Sequence, residues 1–400
     1  MPCQSKGQTV VPSCNGPLLM LSESNRKAEV FCPTCKRIRK DHFEGQQRQI
    51  RRNADRDAFV KDLSQKEGLT GTSLQKQVTA RTEQVIVELF DECAKGRRPA
   101  DFALMACGSM ARREMVAYSD IDAVLVLSNN DSRTMDYFRA VVETMNTRLL
   151  IAGGGDSGFR FCPGGLSPME FCDTIDPLIE RATDPNNGDH VRGALFTRMI
   201  YGNEIWGKTY SKACEKALGL GGRHQKLALQ NLRQNLERRN TDWKLPAKGA
   251  LYVDIKSQLY RPVHMIVNEI ALYYGVSGGG TREQILDLQQ KGKVSLQMVN
   301  ILMQVLEDYA KVGTAHQISR GREEHYVRLR DVRQSDGREA EVFKEIPLAP
   351  AFQIKAIEEM TKRVALLWTM TEYFVQEKSK RSFSKKHNPF ASKTPMADYG

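Results

Sequence analysis

The chain has 400 residues, enough for two or three packed domains with a cleft. Charged residues make up 27% and the apolar set 40%, an ordinary globular balance that excludes a disordered chain. The net charge of +11 sits at the ends: residues 1–70 carry 13 Lys or Arg against 8 Asp or Glu, and residues 378–400 carry 6 against 1, so the stretch between is close to neutral. A basic groove built into a folded domain would put the excess in the middle, which argues against nucleic acid as a specific substrate.

The N-terminus, MPCQSKGQTVVPSCNG, lacks the apolar core of a signal peptide, and no apolar run approaches the roughly 18 residues that span a bilayer. The nine cysteines are scattered, with Cys93 in a helical pattern and Cys107 ending an apolar run, which fits a reducing, cytoplasmic setting. Cys32 and Cys35 have the spacing of half a zinc site, for which Cys14 and His42 are the nearby complements; the alternative is a plain surface turn.

Residues 1–70 read as an irregular and then helical extension, with no sustained period before about residue 45 and a charged helical pattern from Arg48 to Gly68. From Ser73 to Gly96 the apolar residues Val78, Val85, Ile86, Leu89 and Phe90 recur at helical spacing. DFALMAC then forms a short strand ending at Gly108-Ser109, MARREMV suits one or two helical turns, and DAVLVLS is a second strand rich in β-branched residues. A helix follows over Ser132–Leu150, then a glycine-rich turn and a third strand in GFRFC. These elements predict a mixed α/β domain over residues 71–220 with its site at strand ends. Helical patterns dominate from 221 to 377: RHQKLALQNLRQNLERRN, VDIKSQLYRPVHMIVNEIALYYG, TREQILDLQQKG, SLQMVNILMQVLEDYAKVG and PAFQIKAIEEMTKRVALLWTMTEYFVQEK. Residues 378–400 form a basic, polar tail of disordered composition. His190, His264 and His325 are isolated and read as structural.

The chemistry is concentrated between Gly108 and Asp122. Asp120 and Asp122, one residue apart on an extended segment, face the same way, with Ile121 facing the core. Two such carboxylates suit Mg²⁺ or Mn²⁺, hard cations that take oxygen ligands. Gly108 lets backbone approach a phosphate closely, and Ser109 adds a hydroxyl donor. Arg112 and Arg113 lie within reach of the same anion, or pair instead with Glu114 or Asp120. Together these residues suit attack of a hydroxyl on the α-phosphorus of a nucleoside triphosphate.

GSMARREMVAYSDIDAVLVL resembles the signature of the polymerase β nucleotidyltransferase superfamily, in the branch that contains the PII protein uridylyltransferase. The chain is similar in particular to nucleotidyltransferases found beside CBS and cyclic-nucleotide-binding modules. Gly158-Phe159-Arg160-Phe161-Cys162-Pro163-Gly164-Gly165, Asp254-Ile255-Lys256 with Pro262, and Thr281-Arg282-Glu283 match further family segments, so the likeness covers about residues 75–335.

The resemblance implies an α/β (α+β) nucleotidyltransferase domain with a short mixed sheet, followed by an all-α domain. It implies metal-dependent transfer of UMP or AMP from a nucleoside triphosphate to a protein or small-molecule hydroxyl, with a protein acceptor favoured. It also implies that a basic residue of the helical domain, Lys256, reaches the triphosphate. One departure stands out: Arg198 and Gly202-Asn203 match the family, but Phe196 occupies the position of an expected aspartate. If that aspartate is the third metal carboxylate, Asp156, Asp184 and Asp189 are the available substitutes. Its loss supports the competing reading, a catalytically impaired nucleotide-binding regulatory module. A third reading, a nucleic-acid polymerase such as a poly(A) or oligonucleotide synthase, is disfavoured by the near-neutral central region.

Overall fold

The computed structural model describes residues 40–152, 172–183, 196–219, 224–247, 249–276, 279–330 and 348–379, with short pieces at 19–20, 30–32, 37–38, 346 and 390. Cys14 and Cys35, the GFRFCPGG segment, Asp156, Asp184, Asp189, His190 and nearly all of the basic tail lie outside the described residues. The chain falls into two compact units: residues 1–62, 79–110 and 118–213 form the first, and residues 63–78, 111–117 and 214–400 form the second.

In the first unit, β1 (Leu19–Met20), β2 (Val30–Cys32) and β3 (Arg37–Ile38) pair as a small antiparallel ribbon where the sequence predicts irregular chain. The helix α1 (Lys40–Gln65) follows, and α2 (Gly71–Cys93) begins among the residues of the second unit and continues into the first. The central sheet contains β4 (Phe102–Ala106), β5 (Ala123–Leu127), β6 (Cys172–Asp173) and β7 (Arg198–Gly202) in the order β6-β5-β4-β7. It is mixed, because β4 pairs antiparallel with β5 and β7 while β5 and β6 run parallel. Every residue of β4 and β5 is buried, as expected of unbroken apolar runs at the centre of a covered sheet. Phe102 stacks on Phe90 of α2 at 4.7 Å between ring centroids and lies 5.7 Å from Phe138 of α4 (Ser132–Ala152). The unit is completed by α5 (Ile175–Thr183) and α6 (Glu204–Ala217).

MARREMV departs from the predicted one or two turns. The helix α3 (Gly108–Ala111) is a single turn that starts earlier and stops before Arg113, whose φ of 58° is a left-handed conformation incompatible with continuing it.

The second unit is helical: α7 (His224–Arg238), α8 (Arg261–Tyr273), α9 (Thr281–Gln290), α10 (Leu296–Arg320) and α11 (Ala351–Ser379). Stacking of Trp243 on Trp368 at 6.1 Å contributes to its core. The expected single helix over 253–275 is broken. Tyr252–Asp254 forms strand β8, paired with β9 (Tyr326–Arg328), and Ile255–Tyr260 is a π-helical turn that leads into α8 with Pro262 in its first turn. Asp254 ends the strand by accepting Ser257 N–H at 2.8 Å, and a proline is tolerated where a helix has no N–H partner to lose. The unit is therefore helical with a small two-stranded addition. No described helix is long and apolar enough to cross a membrane.

The start of α2 is held by Glu307 of α10. Its carboxylate accepts from the backbone N–H of Gly71 and, at 2.9 Å, from that of Thr72. Burial works to raise the Glu307 pKa, but these N–H groups and Lys311 together outweigh it and hold the carboxyl below its ordinary 4.5. A lowered folded pKa stabilises the fold above the unfolded value and is lost as pH falls through the folded one. Glu307→Gln is expected to lose about 1 to 2 kcal/mol at neutral pH. Urea unfolding at a series of pH values checks this, with the gap between variant and wild type closing below about pH 4.5.

Candidate active site

The geometry begins with the register of two strands. Ala106 pairs with Ala123, and one step further Cys107 N–H donates to Asp122 O at 2.8 Å. This places the residue after the β4 end directly against the residue before β5. Gly108 has φ 54°, and a Cβ built on it would overlap Asp122 Oδ2 and lie 3.1 Å from Asp122 Cγ. Glycine is required here both for the backbone conformation and for the approach of the carboxylate.

Asp120 and Asp122 are each partly exposed while Ile121 between them is fully buried, the alternation expected of an extended segment at a sheet edge. Gly108 and Ser109 are also partly exposed and open α3. Because α3 is one turn long, it offers an anion the N–H groups of its first residues and the Ser109 hydroxyl rather than a developed helix dipole. The structure thus brings Gly108 and Asp122 together, with Ser109 and Asp120 as their chain neighbours.

Arg198 on β7 is committed to structure: its guanidinium donates to Met110 O at 3.0 Å and forms an ion pair with Glu83 of α2. Phe196 is partly exposed just before that strand. Among the described residues, no group of three or more His, Cys, Asp or Glu is arranged to hold a metal ion.

Arg112, Arg113 and Lys256 belong to the second unit. Of the pairings the sequence leaves open, Arg112 takes the one with Glu114. Its Nε lies 3.1 Å from Glu114 Oε2, and its Nη2 lies 3.3 Å from the Tyr260 hydroxyl. Burial works to lower the Arg112 pKa, but Tyr260 and Glu114 more than compensate, so the guanidinium stays charged. Arg113 is exposed. Lys256, on the π turn, donates to Glu323 at 2.8 Å, and His325 approaches the same carboxylate at 2.7 Å. His264 is half-buried, and its pKa falls well below 6.5, mainly through desolvation and then through the nearby charges of Arg112, Arg261 and Lys256, so it is neutral.

The buried Glu114 is the residue whose importance the sequence understates. Its carboxylate accepts from the Tyr260 hydroxyl at 2.6 Å, the Thr281 backbone N–H at 2.9 Å and the Thr281 hydroxyl at 3.1 Å, besides Arg112. Its own carbonyl accepts from Gln75, whose Oε1 in turn accepts from Arg282. In the sequence Thr281 reads as a helix start within a segment that matches the family, and nothing in local spacing links it to Glu114. Burial pushes the thiol of half-buried Cys93 up to about 11 and that of buried Cys172 up to about 12, so neither is a thiolate at neutral pH.

Two partly exposed carboxylates, of which Asp122 lies against the Gly108 turn at the end of a mixed sheet, are the arrangement that the nucleotidyltransferase resemblance implies. Residues 55–181 match the family described as "Putative nucleotidyltransferase DUF294", and residues 241–345 match its "Putative nucleotidyltransferase substrate binding domain". The two matches are to separate models of one family and together support a nucleotidyltransferase family for this chain. A search of curated proteins returns no match.

Two variants test the site's construction. Gly108→Ala adds both a left-handed alanine and a collision with Asp122, whereas Gly96→Ala, at φ 85° with nothing within 4 Å of its Cβ, adds only the backbone strain. Gly96→Ala is expected to lose about 1 to 2 kcal/mol in chemical denaturation and Gly108→Ala more than that, and only Gly108→Ala is expected to lose triphosphate binding in calorimetry. Separately, Glu114→Gln leaves the Arg112 charge without its counter-ion and is expected to cost on the order of 3 kcal/mol by the same denaturation measurement.

Proposed function

We propose that the chain transfers a nucleoside monophosphate, UMP or AMP, from a nucleoside triphosphate to a hydroxyl of a protein or small molecule, using Mg²⁺ or Mn²⁺. The observation that carries this reading is the contact between the Asp122 carboxylate and the Gly108 turn, because it puts an anion-accepting backbone and a cation-accepting side chain at one point. The two family matches support the reaction class.

The residues fit a divalent cation of the harder kind. Asp120 and Asp122 offer carboxylate oxygens only, and Mg²⁺ is commonly held by one or two carboxylates, with substrate phosphates and water completing its shell. The absence of a third described ligand is compatible with that arrangement. When bound, such an ion neutralises phosphate charge and polarises the α-phosphorus.

The chain's own residues bind and orient. Gly108 and Ser109 cradle the distal phosphates through backbone N–H groups and the Ser109 hydroxyl, and Arg113 supplies an exposed guanidinium further along the same segment. Arg112 and Lys256 are left out of the phosphate set, since Glu114 and Glu323 already accept from them. The acceptor oxygen forms a bond to the α-phosphorus as the bond to the bridging oxygen breaks. Pyrophosphate leaves, and the hydroxyl proton passes to solvent or a nearby carboxylate.

Phe196 favours a second reading, nucleotide binding without turnover, in a regulatory module. Incubating the purified chain with each labelled triphosphate and Mn²⁺, with and without cell extract, separates the two. Transfer gives label on an acceptor and release of pyrophosphate, whereas the second reading gives binding alone. Under the first reading, Asp120→Asn and Asp122→Asn each lower the transfer rate on the order of 10³-fold or more while circular dichroism and unfolding midpoints stay close to wild type. Near-normal turnover in either variant would remove the carboxylate pair from the mechanism.

A further inference from the structure

Between the Gly-Ser turn and the two aspartates the chain leaves the first unit after Met110 and re-enters it at Tyr118. Both of these residues are buried, and both are tied to adjacent residues of α2. At the Met110 end, Arg198 donates to Met110 O at 3.0 Å and pairs with Glu83. At the Tyr118 end the tie runs through α1. The Arg56 guanidinium lies 5.9 Å from the centroid of the Tyr118 ring, and its Nε donates to Thr82 Oγ1 at 3.0 Å.

Arg56 is fully buried, and a charge in that position is costly unless it is paired. Its partner is the next residue, Asp57, whose Oδ1 accepts from Nη1 at 3.0 Å. The Asp57 carboxylate also accepts from the Tyr118 hydroxyl. Neighbouring residues of α1 therefore grip one side chain at two points, the guanidinium beside the ring and the carboxylate on the hydroxyl. Apolar packing alone would call for neither, since phenylalanine fills the same space without a hydroxyl to satisfy. What the grip adds is direction. Only buried Ser119 separates Tyr118 from Asp120, and on the far side Cys107 N–H donates to Asp122 O at 2.8 Å. The segment that carries the two carboxylates is thus held immediately before the first and at the backbone of the second.

We infer that Arg56, Asp57 and Tyr118 are positioning residues for the Asp120 and Asp122 carboxylates, acting on them from a helix outside the Gly-Ser and aspartate motif. The inference rests on the proposed binding of a divalent cation by that pair. Groups that orient metal ligands without touching the metal tune the affinity for it. Arg56 and Asp57 fall inside the 55–181 match, more than forty residues before Gly108.

The test is a titration of Mn²⁺ into the full chain without nucleotide, with the free ion followed by electron paramagnetic resonance. The binding that Asp120→Asn removes defines the site. Tyr118→Phe keeps the ring beside Arg56 and removes the hydroxyl, and it is expected to weaken Mn²⁺ on the order of ten-fold. Tyr201→Phe is the control for losing a tyrosine–aspartate hydrogen bond from the fold alone. Its hydroxyl donates to Asp91 at 2.7 Å, and Tyr201 pairs with Leu104, away from the Ala106 end of β4 that leads into the site. It is expected to leave Mn²⁺ affinity within about two-fold of wild type. Asp57→Asn is expected to weaken Mn²⁺ like Tyr118→Phe, and the double variant no further than Asp57→Asn alone, because residues acting through one shared hydrogen bond are not additive. Where Asp57→Asn does not fold, the two tyrosine variants decide alone. Wild-type Mn²⁺ affinity in Tyr118→Phe, or equal weakening in both tyrosine variants, overturns the inference and leaves the cation site standing. Absence of Mn²⁺ binding by the wild-type chain overturns the cation assignment and the inference with it.

Discussion

The site depends on one register. With Ala106 opposite Ala123, the chain leaving β4 and the chain entering β5 are adjacent, and Cys107 N–H closes on Asp122 O. That pairing sets the Asp122 carboxylate over Gly108, where any larger residue would displace it. A slip of one residue would turn Asp120 and Asp122 into the core and Ile121 out to solvent, because side chains alternate along a strand. The continuous apolar content of β4 and β5, buried on both faces, makes such a slip costly. Core packing and site geometry are thus one constraint: the same strands that bury Leu104 and Val124 deliver the carboxylates.

The segment between the two halves of the site is secured in a different way. Ala111–Ala117 packs with the helical unit, and Glu114 is its anchor. A buried carboxylate with four hydrogen bonds from Arg112, Tyr260 and Thr281 meets the demand that a buried charge be both paired and fully satisfied. Tyr260 stacks on Tyr309 at 4.2 Å, which fixes the hydroxyl that Glu114 accepts from. Val116, in the same segment, lies against Gly313 of α10, where a Cβ would come within 3.4 Å. The left-handed Arg113 fits this picture: it is the residue at which the chain abandons α3 so that Arg112 and Glu114 can turn toward the same partners.

What could be read from the sequence is what local pattern encodes. The strands β4 and β5 follow from short apolar runs bounded by turn residues, and the helices α7, α9, α10 and α11 follow from their period. The side-by-side carboxylates follow from spacing alone. The break between β8 and α8 was hidden because apolar residues continue at helical spacing through VDIKSQLY, although Asp254 as a cap and Pro262 in a first turn were local signs of it. The Glu114 partners were out of reach for a different reason. Tyr260 and Thr281 lie 146 and 167 positions away, and no periodicity carries information over that separation. The same applies to Glu83 and Arg198, 115 apart, and to the strand β7 on which Arg198 sits.

The charge distribution takes on a sharper meaning once these partners are known. The cations that the sequence places around the nucleotide motif are largely neutralised within the protein: Arg112 by Glu114, Arg198 by Glu83, and Lys256 by Glu323. A triphosphate carries several negative charges, and one exposed Arg113 does not balance them. Under the proposed chemistry, neutralisation falls mainly to backbone N–H groups and to a divalent cation at Asp120 and Asp122. Affinity would then depend steeply on that cation and only weakly on ionic strength, since few mobile counter-ions are displaced from an already paired surface. The excess of +11, lying at the two ends of the chain, has no share in this.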